Sequence, residues 1–323
     1  MDFLRLIRYK NLLMVLLTMV LTKYALIDSI FFSDISFKNY TLIHTTYLGI
    51  TLTHYQFILF AFSILCITAG GYIINDIFDT ETDKINKPLK VIIDTSISKK
   101  KAWALYYFTN ILGFLLGTYL SFTTENNLYS FFFLGTILAL FLYSKYLKKT
   151  LFIGNLLVSA FLGLVVFITV IFNEPKAHNS NLLEVISNMA TSIRLLLIMI
   201  TYIVFSVLTN LIREIIKDIE DINGDLKIKA KTLPILFGRK RAAKVAFFFS
   251  AILLVFLLII LQSLVKEYLL LSYGILFILL PLLYFMYKLW FSESKKEFSQ
   301  LSNLMKVIML FGILSMVLFK FNS

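Results

Sequence analysis

Long apolar segments recur along the whole chain and constrain its fold more than any other feature. With 59% hydrophobic and only 15% charged residues, a chain of 323 residues has too few charges to cover a soluble surface. Nine segments each contain about the 20 apolar residues that an α-helix needs to cross a bilayer. They are 11–31, 54–74, 102–122, 127–146, 152–172, 191–211, 243–264, 268–290 and 303–321. We therefore predict an all-α, multi-pass transmembrane helical bundle of about nine helices, with a single membrane-embedded domain over residues 1–323.

The distribution of Lys and Arg predicts the orientation of these helices. Basic loops remain in the cytoplasm, so we expect the N-terminus on that side. The inside segments then hold 24 of the 31 basic residues, and they are 1–10, 75–101, 145–149, 212–244 and 288–297. Because basic loops beside anionic lipid account for the net charge of +12, we do not expect nucleic-acid binding.

Two of the predicted helices end in the same acidic pattern, D-x-x-D-x-x-x-D. The second copy begins 142 residues after the first, and both are predicted on the cytoplasmic face. On an α-helix, these steps place three carboxylates within an arc of about 60°. A single cluster could equally be a solvated helix end, but two copies with one spacing favour a shared cation. The triplets are Asp76, Asp79 and Asp83, and Asp218, Asp221 and Asp225.

The ligand types predict a hard metal ion. The local donors are all oxygens, and Mg²⁺ commonly bridges a few carboxylates to substrate phosphates. We predict that the six aspartates both hold Mg²⁺ and carry the catalysis, and that Asn75 adds a neutral oxygen ligand. Basic residues in the same loops would neutralise a diphosphate, and they are Lys84, Lys87, Lys90, Arg213, Lys217 and Lys231.

The two motifs resemble those of a known family. The segment 75–88, with its Asn-Asp-x-x-Asp start and Asn-Lys-Pro end, is similar to the first signature of the UbiA-type membrane prenyltransferases. The segments 213–225 and 231–234 resemble the branch of geranylgeranylglycerol-phosphate geranylgeranyltransferases. The Tyr-Ser, Leu-Lys-Lys and Gly-Asn groups within 143–155 resemble the same branch.

The resemblance implies a bundle with a central cavity capped by the two acidic loops. Mg²⁺ would bind an isoprenyl diphosphate, such as geranylgeranyl diphosphate, and a lipid-like acceptor such as geranylgeranylglycerol phosphate would receive the prenyl group. Tyr143, Lys148 and Asn155 become candidate acceptor contacts. An aromatic acceptor of quinone biosynthesis and a terpene cyclase remain alternatives. A transporter is a further alternative, although transporters usually place their ionisable residues near the membrane midplane.

The sequence departs from the family at one place. Members often continue after the first motif with an Arg-Pro pair and a glycine, whereas this chain has Leu89, Lys90 and an apolar run ending at Asp94. Lys87 and Lys90 would then replace arginine as phosphate contacts, without its two-pronged hydrogen bonding. The sequence suggests no role for Asp94.

Overall fold

A computed structural model describes residues 2–33, 52–124, 128–173, 182–227 and 229–321. Within these ranges the chain is almost entirely helical, and the sole extended pairing is an isolated bridge between Ile93 and Ile97. Each of the nine predicted apolar runs overlaps a helix. The all-α prediction is therefore confirmed.

The α-helices vary widely in length. They are α1 (Asp2–Leu6), α2 (Tyr9–Leu21), α3 (Asp28–Ser33), α4 (His54–Asn86), α5 (Lys99–Thr123), α6 (Leu128–Lys145), α7 (Ile153–Asn173), α8 (Leu182–Glu220), α9 (Ile222–Lys227), α10 (Leu233–Phe237), α11 (Arg239–Ser263), α12 (Tyr268–Tyr273), α13 (Leu280–Phe291) and α14 (Lys295–Leu314). Two π-helical segments interrupt the regular pattern, at Thr22–Ile27 and Gly274–Leu279. Short 3₁₀ segments occur at Pro88–Lys90, Leu147–Lys149 and Ser315–Phe321.

The helices have the length and composition of membrane spans. Over the described part of the chain, seven helical stretches are long and apolar enough to cross a bilayer, and Tyr129–Lys145 is a shorter apolar helix. The remaining predicted span, α5, has 25 residues but carries buried Thr109 and Asn110 near its middle. Large apolar side chains such as Tyr55, Ile58 and Trp290 are more than 60% exposed. These features indicate an integral, multi-pass membrane protein.

The chain divides into two compact units, each described here by itself. The first unit comprises Met1–Leu16, Thr53–Leu157 and Asp221–Arg239. The second comprises Leu17–Leu52, Val158–Glu220 and Lys240–Ser323. The single-domain organisation stays a prediction.

In the first unit, α4 packs closely against α5 and α6. Small residues allow this approach, as in many membrane helix pairs. A Cβ atom at Gly70 would lie 2.2 Å from the side chain of Asn110, and the Ser63 hydroxyl donates a hydrogen bond of 2.6 Å to the Gly113 carbonyl. A buried apolar cluster holds the later turns of α4, and it contains Leu6, Ile73, Ile74, Ile77, Ile93, Ala102 and Tyr106.

In the second unit, α8 packs along α14. Gly312 of α14 lies against the ring of Phe205, which would be only 2.1 Å from an added Cβ atom. The hydroxyl groups of Tyr202 and Ser315 share a hydrogen bond of 2.8 Å. This unit also encloses a cavity of about 770 Å³. The predicted cavity beneath the acidic loops stays a prediction.

Candidate active site

The first aspartate motif lies on the last turns of α4. This helix has 33 residues and extends about 50 Å, which is longer than a hydrocarbon core of about 30 Å. Its C-terminal turns can therefore leave the membrane without a break in the helix. The Asp79 side chain is only 9% exposed, whereas Glu81 is 78% exposed. The motif thus faces the interior of the unit, and Glu81 faces solvent.

The second aspartate motif does not lie on one continuous helix. The arc of about 60° predicted for three carboxylates assumed continuous helix, but α8 ends at Glu220 and Asp221 forms a bend before α9. The bend places Gly224 against Asn86, where an added Cβ atom would lie 2.4 Å from the Asn86 side chain. Glycine is therefore required at this contact. The prediction that the second triplet shares one arc of a continuous helix is therefore wrong, although the spacing of its aspartates in the sequence is unchanged.

Asn86 and Lys87 join the two motifs within the first unit. The Asn86 side-chain amide donates a hydrogen bond of 2.8 Å to the Asp221 carbonyl. Its side-chain oxygen accepts a hydrogen bond of 2.8 Å from the Gly224 backbone N–H. Lys87 Nζ lies 2.6 Å from Asp221 Oδ2. The Asn-Lys pair that ends the first motif is thus the direct connection to the second.

Lys148 contacts the first motif from the loop between α6 and α7. Its ammonium group forms an ion pair with Asp79 and donates a hydrogen bond of 3.3 Å to Asn75 Oδ1. The Asn75 amide in turn donates to Asp79 at 2.7 Å. An added Cβ atom at Gly154 would lie 2.9 Å from the Lys148 Cα, so glycine lets the loop approach. Lys148 pairs here with a predicted metal ligand, and its predicted contact with the acceptor stays a prediction.

Arg8 is a site residue that the sequence analysis missed. Its guanidinium group lies 2.6 Å from Asp76 Oδ1 and 5.2 Å from the centre of the Tyr72 ring. Arg8 has a positive φ of 50°, which is uncommon for a residue other than glycine. The one available signal was a basic residue just before the first apolar run. Arg8 supplies an arginine at the site, where the sequence after the first motif has none.

Burial and like charges act together on Asp225. Burial raises its pKa to about 6, and the neighbouring Asp221 and Asp79 carboxylates add to the shift while Lys148 opposes it. Burial also disfavours the charged form of Lys148, but the Asp79 carboxylate and the Tyr143 side chain together outweigh burial and raise the pKa of Lys148 above its usual value.

The donor set fits a hard cation, although the carboxylates are not gathered around one point. No group of three His, Cys, Asp or Glu side chains lies close enough together to hold a metal ion in the described ranges. Lys148, Arg8 and Lys87 are paired instead with Asp79, Asp76 and Asp221. However, Asp221 Oδ1 is buried without a hydrogen-bond partner. A buried carboxylate oxygen of this kind is an available ligand for Mg²⁺.

The other predicted diphosphate contacts of the first unit are Lys84, Lys90 and Lys231. Lys84 pairs with the exposed Glu81 at 2.8 Å, and the Lys231 side chain is exposed. The side chain of Lys90 lies outside the described part of the chain. Asp94, which had no assigned role, has a φ of 65° and closes a turn by donating its N–H to the Ile97 carbonyl at 3.0 Å. Aspartate tolerates this left-handed conformation better than most residues.

Tyr143 and Asn155, the other predicted acceptor contacts, flank the Lys148 loop. Asn155 is buried and Tyr143 is partly buried. Their role in acceptor binding stays a prediction.

In the second unit, Arg213 and Lys217 both pair with Glu214. The distances are 2.6 Å from Arg213 Nη1 and 2.8 Å from Lys217 Nζ to the two carboxylate oxygens. The Arg213 Nε atom is buried without a hydrogen-bond partner. Glu214, which the sequence analysis did not single out, thus orders both predicted phosphate contacts. The role of Asp218, on the next turn of α8, stays a prediction.

These features define a polytopic helical membrane protein in which Asn86 and Lys87 tie two aspartate motifs together. The sequence matches the model of the UbiA prenyltransferase family over residues 45–310, so the chain belongs to that family.

Several relatives carry one name. The digeranylgeranylglyceryl phosphate synthase of Methanosphaera stadtmanae is 34% identical over 269 residues, which cover 81% of this chain and 87% of the relative. The synthase of Saccharolobus solfataricus is 38% identical over 195 residues, or 60% of each chain. The alignments with the synthases of S. solfataricus and Thermococcus gammatolerans span less than two thirds of those relatives, at 60% and 57% of their length.

Solved structures share the fold. A structure of digeranylgeranylglyceryl phosphate synthase superposes with a TM-score of 0.64 at 24% identity, covering 100% of this chain and 98% of the other. A UbiA homologue from Archaeoglobus fulgidus, solved with GPP and Mg²⁺, gives a TM-score of 0.56 at 13% identity and covers 98% and 99%.

Proposed function

We propose that this protein transfers a prenyl group from an isoprenyl diphosphate to a lipid acceptor, with Mg²⁺ as its cofactor. The favoured pair of substrates is geranylgeranyl diphosphate and geranylgeranylglycerol phosphate. Relatives that cover most of the chain are named for the product of this reaction. The A. fulgidus homologue, which shares the fold, was solved with a prenyl diphosphate and Mg²⁺.

The junction of the two aspartate motifs is the observation that carries this proposal. Asn86 and Lys87 link the end of α4 to the bend at Asp221 across more than 130 residues of sequence. The same region contains the buried Asp79 and the cations Lys148 and Arg8. A surface cluster of acids would have no reason to be cross-linked in this way. A site for a metal-bound anion requires such links between the motifs, because the charges of the metal and of the anion must be balanced at fixed positions.

The residues that would hold Mg²⁺ are Asn75, Asp76, Asp79, Asp83, Asp218, Asp221 and Asp225. Bound there, Mg²⁺ would neutralise the negative charge that develops on the departing diphosphate.

The basic side chains of the site suit the binding of the diphosphate. Lys87, Lys148 and Arg8 form ion pairs with carboxylates of the two motifs. Arg8 offers the two-pronged hydrogen bonding that lysine lacks. We propose that these three side chains contact the diphosphate, together with Lys84, Lys90, Arg213, Lys217 and Lys231. Tyr143 and Asn155 would contact the acceptor.

The bond changes in the proposed reaction balance simply. The bond between the first prenyl carbon and the diphosphate oxygen breaks, and the diphosphate leaves with the electron pair. The acceptor hydroxyl oxygen forms the new bond to that carbon and releases its proton. Because water would compete with the acceptor, the site must limit its access.

The proposed orientation follows the basic loops. We propose that the N-terminus and both aspartate motifs lie on the cytoplasmic side of the cell membrane. Support comes from the concentration of Lys and Arg in the segments that flank the motifs.

The reaction can be tested with purified protein, Mg²⁺ and labelled geranylgeranyl diphosphate. Diphosphate release should require geranylgeranylglycerol phosphate, and Asp79→Asn should reduce it at least a hundredfold. Glu293→Gln is the control, since it removes an exposed carboxylate whose partner, Lys240, has no proposed role. Equal activity of Asp79→Asn and the wild type would refute the proposal.

The acceptor identity requires a parallel set of reactions. Hydroxybenzoate and dihydroxynaphthoate should give no prenylated product, and product formed without any acceptor would indicate a cyclase. Prenylation of an aromatic acceptor alone would retain the prenyltransferase class and overturn the lipid acceptor.

A further inference from the structure

The cavity of the second unit has the character of a hydrocarbon-binding site. Its volume of about 770 Å³ lies within the roughly 300–1,000 Å³ of typical ligand pockets. The polar groups on its wall are largely used within the protein. Tyr202 pairs with Ser315 at 2.8 Å, and Tyr273 donates to the Phe311 carbonyl at 3.0 Å. The remaining lining is mainly aliphatic, so an occupant would bury apolar surface rather than form many hydrogen bonds.

Irregular helix geometry borders this cavity on two sides. One π-helical segment, Gly274–Leu279, contributes Gly274 and Ile278 to the lining. The other, Thr22–Ile27, ends just before the lining residues Ser29 and Ile30. π-Helical turns are rare and often occur at functional sites. The position of these two π-helical segments beside the cavity is a second indication that the cavity is a functional site.

Arg194 brings a positive charge to the wall of the cavity. It lines the cavity and is exposed, and the lining also includes one carboxylate, that of Glu267. Arginine recognises phosphate groups through paired hydrogen bonds. The chemistry around Arg194 therefore fits a phosphate joined to an apolar chain.

The length of α8 separates Arg194 from the predicted metal ligand on the same helix. Arg194 and Asp218 are 24 residues apart on one continuous helix, or about 36 Å. This exceeds the hydrocarbon core of about 30 Å. A substrate whose diphosphate lies near Asp218 therefore cannot also place its phosphate at Arg194. Arg194 therefore lies toward the opposite end of the span from Asp218.

We propose that this cavity binds a membrane lipid with a phosphate headgroup, its chain between α8 and the cavity walls formed by α11 and Gly274–Leu279, and its phosphate at Arg194. The site is separate from prenyl transfer and does not depend on it. Such a lipid would fill a space inside the second unit and stabilise the packing of α8.

The test uses delipidated full-length protein and two probes with the same dioleoyl chains. Phosphatidylglycerol carries the phosphate and diacylglycerol lacks it. Native mass spectrometry should show phosphatidylglycerol retained by the wild type and about tenfold less by Arg194→Gln, as expected for the loss of one charged contact. Arg194→Lys should retain most of it. Arg5→Gln, which removes an exposed arginine of the first unit, should bind as the wild type does.

A second variant examines the apolar part of the cavity. Thr201→Trp adds a large ring to the lining and should reduce binding of both probes. Equal retention of phosphatidylglycerol by wild type, Arg194→Gln and Thr201→Trp would overturn the proposal. Competitive displacement of the lipid by geranylgeranyl diphosphate would also overturn it, because the cavity would then be a site for the substrate chain.

Discussion

Substitution of Asn86 by alanine tests whether the junction of the two motifs organises the site. The variant removes both hydrogen bonds of 2.8 Å that this side chain makes to Asp221 and Gly224. The Gly224 N–H and the Asp221 carbonyl keep their backbone contact with each other at 3.1 Å. Because each lost hydrogen bond has a net worth of about 0.5–1.5 kcal/mol, we expect a loss of about 1–3 kcal/mol in stability.

The loss of Mg²⁺ affinity in Asn86→Ala should exceed the loss that its lower stability alone would cause. Asn86 is not itself a proposed ligand, but it orients the segment that carries Asp221 and Asp225. Removal of such supporting contacts typically costs 10–100-fold in metal affinity. We therefore expect the Mg²⁺ concentration for half-maximal diphosphate release to rise by about 10–100-fold.

Asn110→Ala provides the matched control. Asn110 is also buried on a helix of the first unit, and its amide donates a hydrogen bond of 2.8 Å to the Tyr106 carbonyl. It should lose thermal stability but keep the wild-type Mg²⁺ dependence. If Asn86→Ala lost stability and yet kept that dependence, the junction would be purely structural and our reasoning would fail.

Three further predictions concern the same site. Asp225→Asn should stabilise the metal-free protein above pH 6 by about 1–3 kcal/mol, because the folded state raises the pKa of this carboxyl to about 6 from 3.8. Thermal unfolding in EDTA should show that this gain in stability vanishes below about pH 4. Mg²⁺ should no longer stabilise the variant. Gly224→Ala places a Cβ atom 2.4 Å from Asn86 and should reduce diphosphate release at least tenfold, whereas Gly135→Ala, with no atom within 4 Å of the added Cβ, should not. Arg8→Gln removes the ion pair of 2.6 Å with Asp76 and should raise the KM for the prenyl diphosphate about tenfold or more; an unchanged KM would exclude Arg8 from the substrate site.

The predicted helices and the observed helices agree because a long apolar run is a strong sequence signal for a membrane helix. A bilayer requires about 20 apolar residues per span, and this requirement is visible in the local composition of the sequence. The acidic motifs were equally visible, since their spacing is a property of the sequence itself. The break at Asp221 was not predicted, because the spacing is compatible with a continuous helix and the Asn86–Gly224 contact that accompanies the bend is not local.

The ion-pair partners of individual cations were not predicted. Lys87 was correctly singled out as a basic residue of the motif loops, but its partner Asp221 could not be foreseen. Lys148 was assigned to the acceptor through the family resemblance, and it contacts Asp79. Arg8 was missed altogether, because nothing within its own segment distinguishes it from an ordinary basic residue beside a membrane span.

The amino-acid sequence by itself thus determined the membrane class, the helical content and the two acidic motifs, since each depends on residues close together in the chain. Only the tertiary structure decided which side chains meet. The contacts Arg8–Asp76, Lys148–Asp79 and Asn86–Asp221 join residues 68, 69 and 135 positions apart. Such contacts depend on how helices pack and where they bend, and packing is set by many weak interactions that no local pattern records.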